Sequence, residues 1–168
     1  YRDKCLRFIE NHDEERAPVT FGKQKSRAAG IITSTVPGLR FFYDGQMEGR
    51  RIRTPVHLRR EPAEAPDPVT SAVYQRLLKY IKGPATHEGE WTLLATQPAW
   101  AKNETHSTIL VWLWGCGQDW KLVVVNYSMI RAQATIRLPE FLGRKYFIQF
   151  RDVLTDKLYD RTGEELYQ

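Results

Sequence analysis

The residues best suited to chemistry stand near the start of the chain. Asn11-His12-Asp13 sets an imidazole between a carboxamide and a carboxylate, a hydrogen-bonding ring beside an anionic acceptor. The residues before them, Leu6-Arg7-Phe8-Ile9-Glu10, read as a short apolar strand. The tripeptide therefore falls at a strand's C-terminal end, where α/β enzymes keep their reactive groups. A second block, Pro37-Gly38-Leu39-Arg40-Phe41-Phe42-Tyr43-Asp44-Gly45-Gln46, repeats the arrangement after one helical stretch. Two successive strand-to-loop units, each ending in polar residues, are the repeat of a parallel α/β barrel.

These blocks resemble the α-amylase clan of glycoside hydrolases. Barrels of that clan end strand seven in Asn-His-Asp and strand eight in a Pro-Gly-x-x-x-x-Tyr-x-Gly-Gln/Glu pattern. The matching residues are Asn11, His12, Asp13, Pro37, Gly38, Tyr43, Gly45 and Gln46. An Asn-His-Asp alone recurs by chance, and it is the order, the spacing and the residues that follow that give it weight. The resemblance extends over nearly the whole chain, since the remainder reads as the β-sandwich such enzymes carry after the barrel.

The resemblance implies a retaining mechanism, in which a carboxylate nucleophile and a protonated carboxyl act on a sugar that passes through an oxocarbenium-like state. It gives Asp13 the part of a further carboxylate that binds the sugar hydroxyls more strongly as the ring flattens, which stabilises the transition state selectively. His12 is then expected to donate a hydrogen bond to a hydroxyl of the same sugar, and Asn11 to support the turn. Arg50, at the head of a basic segment, is a further candidate for contact with the substrate. The implied substrate is an α-glucan or oligosaccharide, without a cofactor. The clan's nucleophile and acid come from strands four and five, upstream of the Asn-His-Asp strand, so the chain by itself is expected to lack both. The run Gln46-Met47-Glu48-Gly49-Arg50-Arg51 resembles a subgroup of uncharacterised amylase-like proteins, which points to the bond class and leaves open the choice between hydrolysis and transfer.

Length and composition agree with a globular protein. The chain has 168 residues, 42% hydrophobic and 27% charged, long enough for one domain or two small ones. No run of eighteen apolar residues is present and the first residues are polar, so neither a membrane span nor a signal peptide is read. Tyr1-Arg2-Asp3-Lys4 leads directly into a strand without an initiator methionine, which reads as the interior of a longer protein whose remainder is an expected partner. Cys5 and Cys116 give neither a disulfide framework nor metal spacing. Free thiols in a reducing cytoplasm are the expectation.

The net charge of +5 has a local source. Six arginines lie from Arg40 to Arg60, including Arg50, Arg51, Arg53, Arg59 and Arg60, among Asp44, Glu48, Glu61 and Glu64. A solvated, internally paired loop is expected rather than a nucleic-acid surface, with an anion contact as the alternative.

The elements follow from local patterns. Arg16 to Gln24 reads as a connecting loop, and Ser26 as the cap of a helix from Arg27 to Val36, ended by Pro37-Gly38. Strand eight is Leu39 to Tyr43, and Asp44 to Asp67 a long loop of the kind that walls a cleft. Asp67-Pro68 opens a helix with Val73, Leu77, Leu78 and Ile81 at helical spacing, stopped by Gly83-Pro84. Strands then follow at Trp91 to Ala95, Ser107 to Trp114, Trp120 to Tyr127, Ala132 to Leu138 and Lys145 to Phe150, with Gly115 to Asp119 as a hairpin loop.

These elements, with the resemblance, imply an α+β fragment: the last two βα units of a (β/α)8 barrel over residues 1–83, then an antiparallel β-sandwich over 84–168, expected to lack an edge strand. All five tryptophans fall from Trp91 to Trp120. Trp112 and Trp114 share one side of a strand, where they either fill the sandwich core or form a sugar platform. Three readings stay open: part of an α-glucan-active hydrolase or transferase, a non-catalytic carbohydrate-binding or interaction module, and a basic binding protein.

Overall fold

The computed structural model describes residues 2–143 and 146–166. A 3-10 turn over Arg2–Lys4 leads into β1 (Leu6–Arg7), and a helical pair, α1 (Ala17–Thr20) and α2 (Gly22–Thr35), connects it to β2 (Leu39–Arg40). The two strands pair in parallel with Leu6 opposite Leu39 and Arg7 opposite Arg40. Two flanking bonds extend the ladder, from Leu39 N–H to the Cys5 carbonyl at 3.0 Å and from Phe41 N–H to the Arg7 carbonyl at 2.9 Å. This is the strand-helix-strand unit expected from the two sequence blocks, with strands shorter than Leu6 to Glu10 and Leu39 to Tyr43. The reason is the lone pairing: among the described residues β1 and β2 have only each other, and Leu6, Phe8, Leu39 and Phe41 stay exposed at 53%, 42%, 63% and 38%.

The segment expected to be a loop before Ser26 is largely helical. Lys23, Gln24 and Lys25 are good helix formers, and α2 starts at Gly22 with Ser26 buried inside it rather than capping it. The next helix, α3 (Pro68–Ile81), begins as its sequence dictates. The Asp67 side chain accepts the Thr70 N–H at 2.8 Å and proline occupies the first turn, an N-cap with a preset φ. Tyr74 of α3 lies so close over Gly30 of α2 that a Cβ there would collide with the phenol. Tyr74, Leu77 and Ile81 form a core with Ile31, Phe42, Met47 and Leu78 packed on it.

After α4 (Ala85–Glu88) the chain turns to strands: β3 (Glu90–Leu94), β4 (Thr96–Gln97), β5 (Ile109–Cys116), β6 (Asp119–Asn126) and β7 (Thr135–Ile136). The short helix α5 (Glu140–Gly143) precedes a hairpin of β8 (Phe147–Arg151) and β9 (Leu158–Thr162). All their pairings are antiparallel: β3-β5-β6 in one sheet, β4 with β7, and β8 with β9. The strand expected from Lys145 begins at Phe147, Lys145 itself lying outside the described residues. β9 has no counterpart in the sequence reading because Asp160 and Arg161 interrupt any apolar alternation.

One face of the central sheet packs on the helices. Trp112 and Trp114 are buried, and both indole N–H groups donate to the carbonyl of Thr35 at the end of α2, at 3.0 and 2.6 Å. They thus close an orphaned helix C-terminal carbonyl, and their core includes Ala85 and Val125 with Ala28, Ile31, Ile32 and Val36 against it. The tryptophans fill a core, as one of the two expectations had it, but their partner is a helix instead of a second sheet. A cleft of about 1010 Å³ runs along β6, lined by Trp120, Leu122 and Val124, by Leu77 and Ile81 of α3, and by Phe150 and Tyr159.

Candidate functional site

Asn11, His12 and Asp13 occupy the turn that follows β1. The Asn11 Oδ1 accepts the backbone N–H of Asp13 at 2.8 Å and of Glu14 at 3.0 Å, the asparagine turn that mimics a backbone turn. This leaves the next two side chains outward. His12 Nε2 lies 3.3 Å from Asp13 Oδ2, and the two side chains are 58% and 75% exposed. An accessible ring nitrogen and an accessible carboxylate at the C-terminal end of a parallel strand can both reach a hydroxylated ligand.

Beneath this turn is a set of groups that the sequence reading did not single out. Glu10, the last residue before the tripeptide, has no exposed surface. Its Oε1 is 3.0 Å from Arg16 Nη1 and its Oε2 accepts the Ala17 N–H at 2.6 Å. Burial pushes the Glu10 carboxyl up, while the Ala17 N–H and then the Arg16 charge pull it down. Arg16 continues across to the loop after β2, where its Nη2 donates to the Asp44 carbonyl at 2.7 Å and its guanidinium lies 4.9 Å from the centre of the Tyr43 ring.

The second loop is held just as closely. Gln46 accepts the Tyr43 N–H at 3.2 Å through Oε1 and donates through Nε2 to the Tyr74 hydroxyl at 2.8 Å. Burial, chiefly, pushes the Tyr74 phenol up to about 12. Between these residues Gly45 has φ +80°, and a Cβ there would meet the Arg16 guanidinium and the Arg50 side chain. Both its conformation and the room it leaves call for glycine.

Arg50 is placed at this loop beside Gly45, and its Nη1 pairs with Glu61. The arrangement engages Arg50 with a carboxylate of its own segment. Further along, Glu64 accepts the N–H groups of Arg51 and Ile52, while Arg51, Arg53, Arg59 and Arg60 are exposed. Among the described residues no group of three or more His, Cys, Asp or Glu could hold a metal ion, and no helix is long and apolar enough to cross a membrane. Neither Cys5 nor Cys116 forms a disulfide among the described residues, and both are half-buried.

Comparison with known proteins gives a fold. No family profile and no curated protein matches the chain. Among solved structures it is similar to a noncanonic maltogenic α-amylase, AmyB from Thermotoga neapolitana, with a TM-score of 0.68 and 18% sequence identity. The fold is α-amylase-like. The likeness covers 92% of this chain and 36% of that one, so the chain spans about a third of the amylase's length. It carries mixed α+β structure with antiparallel sheets in its C-terminal half, as expected for the β-rich end of such a protein.

Proposed function

We propose that this chain is the C-terminal part of an α-amylase-like glycoside hydrolase or glucanotransferase that acts on α-glucosidic bonds by a retaining mechanism. Residues 1–83 supply the last two βα units of its barrel and residues 84–168 its sandwich. The observation that carries this reading is the likeness to a maltogenic α-amylase over 92% of the chain, with Asn11-His12-Asp13 at the end of the first of two parallel strands. Supporting it, Leu6 of β1, Leu39 of β2 and the following Phe8 and Phe41 are exposed, apolar side chains of the kind that a complete barrel and its helices cover.

In this reading Asp13 accepts hydrogen bonds from two hydroxyls of the bound glucose unit and His12 donates one. As the ring flattens and positive charge grows at the anomeric carbon, the carboxylate gains more than it did with the ground-state sugar. The nucleophile and the acid belong to polypeptide outside residues 1–168. The test is the anomeric configuration of the first product formed from an α-glucan by the protein containing these residues and the preceding strands. Retention of the α-anomer is expected, and a β-anomeric first product overturns the reading.

A second reading, a non-catalytic carbohydrate-binding module, draws on Trp100. It is 55% exposed at the rim of a recess of about 540 Å³ lined by Ile109, Val124, Ala132 and Ile136, and flat rings of this kind can stack on sugar faces. Oligosaccharide binding by the chain that is lost in Trp100→Ala and kept in Asp13→Asn would favour it.

A further inference from the structure

We propose that Glu10 and Arg16 are positioning residues for the turn between them: their buried pair holds Asn11-His12-Asp13 in place and fixes it against the loop after β2. The role assigned to Asp13 rests on the proposed function, whereas the clasp itself is read from the following geometry.

The pair closes a five-residue loop at its base. Glu10 ends the strand side and Arg16 starts the helix side, and their side chains meet at 3.0 Å with 0% and 4% of their surface exposed. The carboxylate uses its second oxygen on the Ala17 N–H at 2.6 Å, so α1 is anchored to the same group. Arg16 uses its second Nη on the Asp44 carbonyl at 2.7 Å and stacks on Tyr43. One guanidinium plane thus ties the loop after β1 to the loop after β2. A lysine has a single point charge and cannot reproduce that fork.

Stability alone does not account for the choice. Removing two charges from water is costly, and apolar residues of similar size in place of a buried ion pair are often as stable or more so. What an apolar pair cannot supply is direction: two hydrogen bonds, one from the Ala17 N–H to Glu10 and one from Arg16 to the Asp44 carbonyl, joined by an ion pair at 3.0 Å. The turn above has few restraints of its own, the two N–H bonds to Asn11 and little burial. Its two outward side chains therefore depend on the base. Gly45 fits the same scheme, because any larger residue would meet the guanidinium where it crosses.

The test uses the full chain and reads the turn separately from the fold. Backbone order parameters of residues 12–14 are measured by NMR in the wild type, in Glu10→Leu/Arg16→Met and in Arg16→Lys, alongside the urea midpoint. The wild-type values are expected near about 0.85, as in rigid backbone, and those of both variants below about 0.6, with β5 and β6 unchanged. If the double variant does not fold, Arg16→Lys carries the comparison, because it keeps the charge at the site. Order parameters at 12–14 that stay at the wild-type value in either folded variant overturn the proposal. That failure is distinct from failure of the proposed function, which would appear as a fully active Asp13→Asn protein whatever the turn's mobility.

Discussion

The indole of Trp114 donates its hydrogen bond to the carbonyl of Thr35 at 2.6 Å, across 79 positions of sequence. With Trp112 on the same oxygen, it fixes the central antiparallel sheet to the end of α2. Because Trp112 remains as a donor, Trp114→Phe is expected to lower stability by about 1 kcal/mol. Trp112→Ala also empties a core position and is expected to cost about 3–5 kcal/mol. Urea denaturation checks both, and a Trp112→Ala loss below that of Trp114→Phe would contradict the packing described.

Tyr74 makes stability fall at alkaline pH. Its phenol is pushed up to about 12 in the fold by burial, whereas in the unfolded chain it ionises near about 10. Below about pH 10 both states are protonated and the contribution is intact; from there to about 12 the unfolded state loses its proton first and stability drops, by about 2–3 kcal/mol for a two-unit difference. Tyr74→Phe should remove this part of the pH dependence. At neutral pH it should cost about 1–3 kcal/mol, because Gln46 Nε2 loses its buried acceptor. Urea midpoints from pH 7 to 12 for the two proteins give the comparison.

Asp67 acts at the acid end. Lys23 at 2.7 Å and the Thr70 N–H at 2.8 Å hold its carboxyl well below the usual carboxylate range. The contribution is therefore complete above about pH 4 and is lost as pH falls below that value. Asp67→Asn should keep the cap and lose the acid-dependent part. Asp67→Ala should lose the cap as well, at about 0.5–2 kcal/mol. Thermal melts at pH 3 and pH 7 separate the two, and equal melting shifts for both variants would refute the assignment.

The tryptophans should divide by accessibility. Trp100 and Trp120 are 55% and 42% exposed, whereas Trp112 and Trp114 are 2% and 6% exposed. Acrylamide is expected to quench only part of the fluorescence, and Trp100→Phe with Trp120→Phe to remove most of the quenchable fraction. Uniform quenching of all the emission would contradict the burial of Trp112 and Trp114.

What could be read from the sequence was what local chemistry specifies. Asp67-Pro68 announces a helix start wherever it occurs, and β5 and β6 announce themselves by long runs of Val, Leu, Ile and Trp. The turn at Asn11-His12-Asp13 was expected from the family resemblance, and the structure shows asparagine building it with its own side chain. The base of that turn was not. Glu10 and Arg16 look like ordinary surface charges flanking a loop, and only the folded chain brings them together out of water. A signal was present in their placement at both ends of a five-residue polar run, the second just before Ala17-Pro18, where a helix can begin. Ser26 misled for the opposite reason, as a residue that caps helices when exposed and fits tight helix crossings when buried.

The central claim is that Asp13 serves α-glucan cleavage in a protein whose nucleophile and acid lie outside residues 1–168. The most direct measurement is the rate of α-glucan hydrolysis or transfer by the 168-residue chain and by the protein that also contains the preceding barrel strands, each as wild type and as Asp13→Asn. The account predicts no activity from the chain alone, activity from the longer protein, and a loss of about 100-fold or more in its kcat on Asp13→Asn. Activity of the isolated chain that Asp13→Asn abolishes, or an unchanged kcat in the longer Asp13→Asn protein, would contradict it.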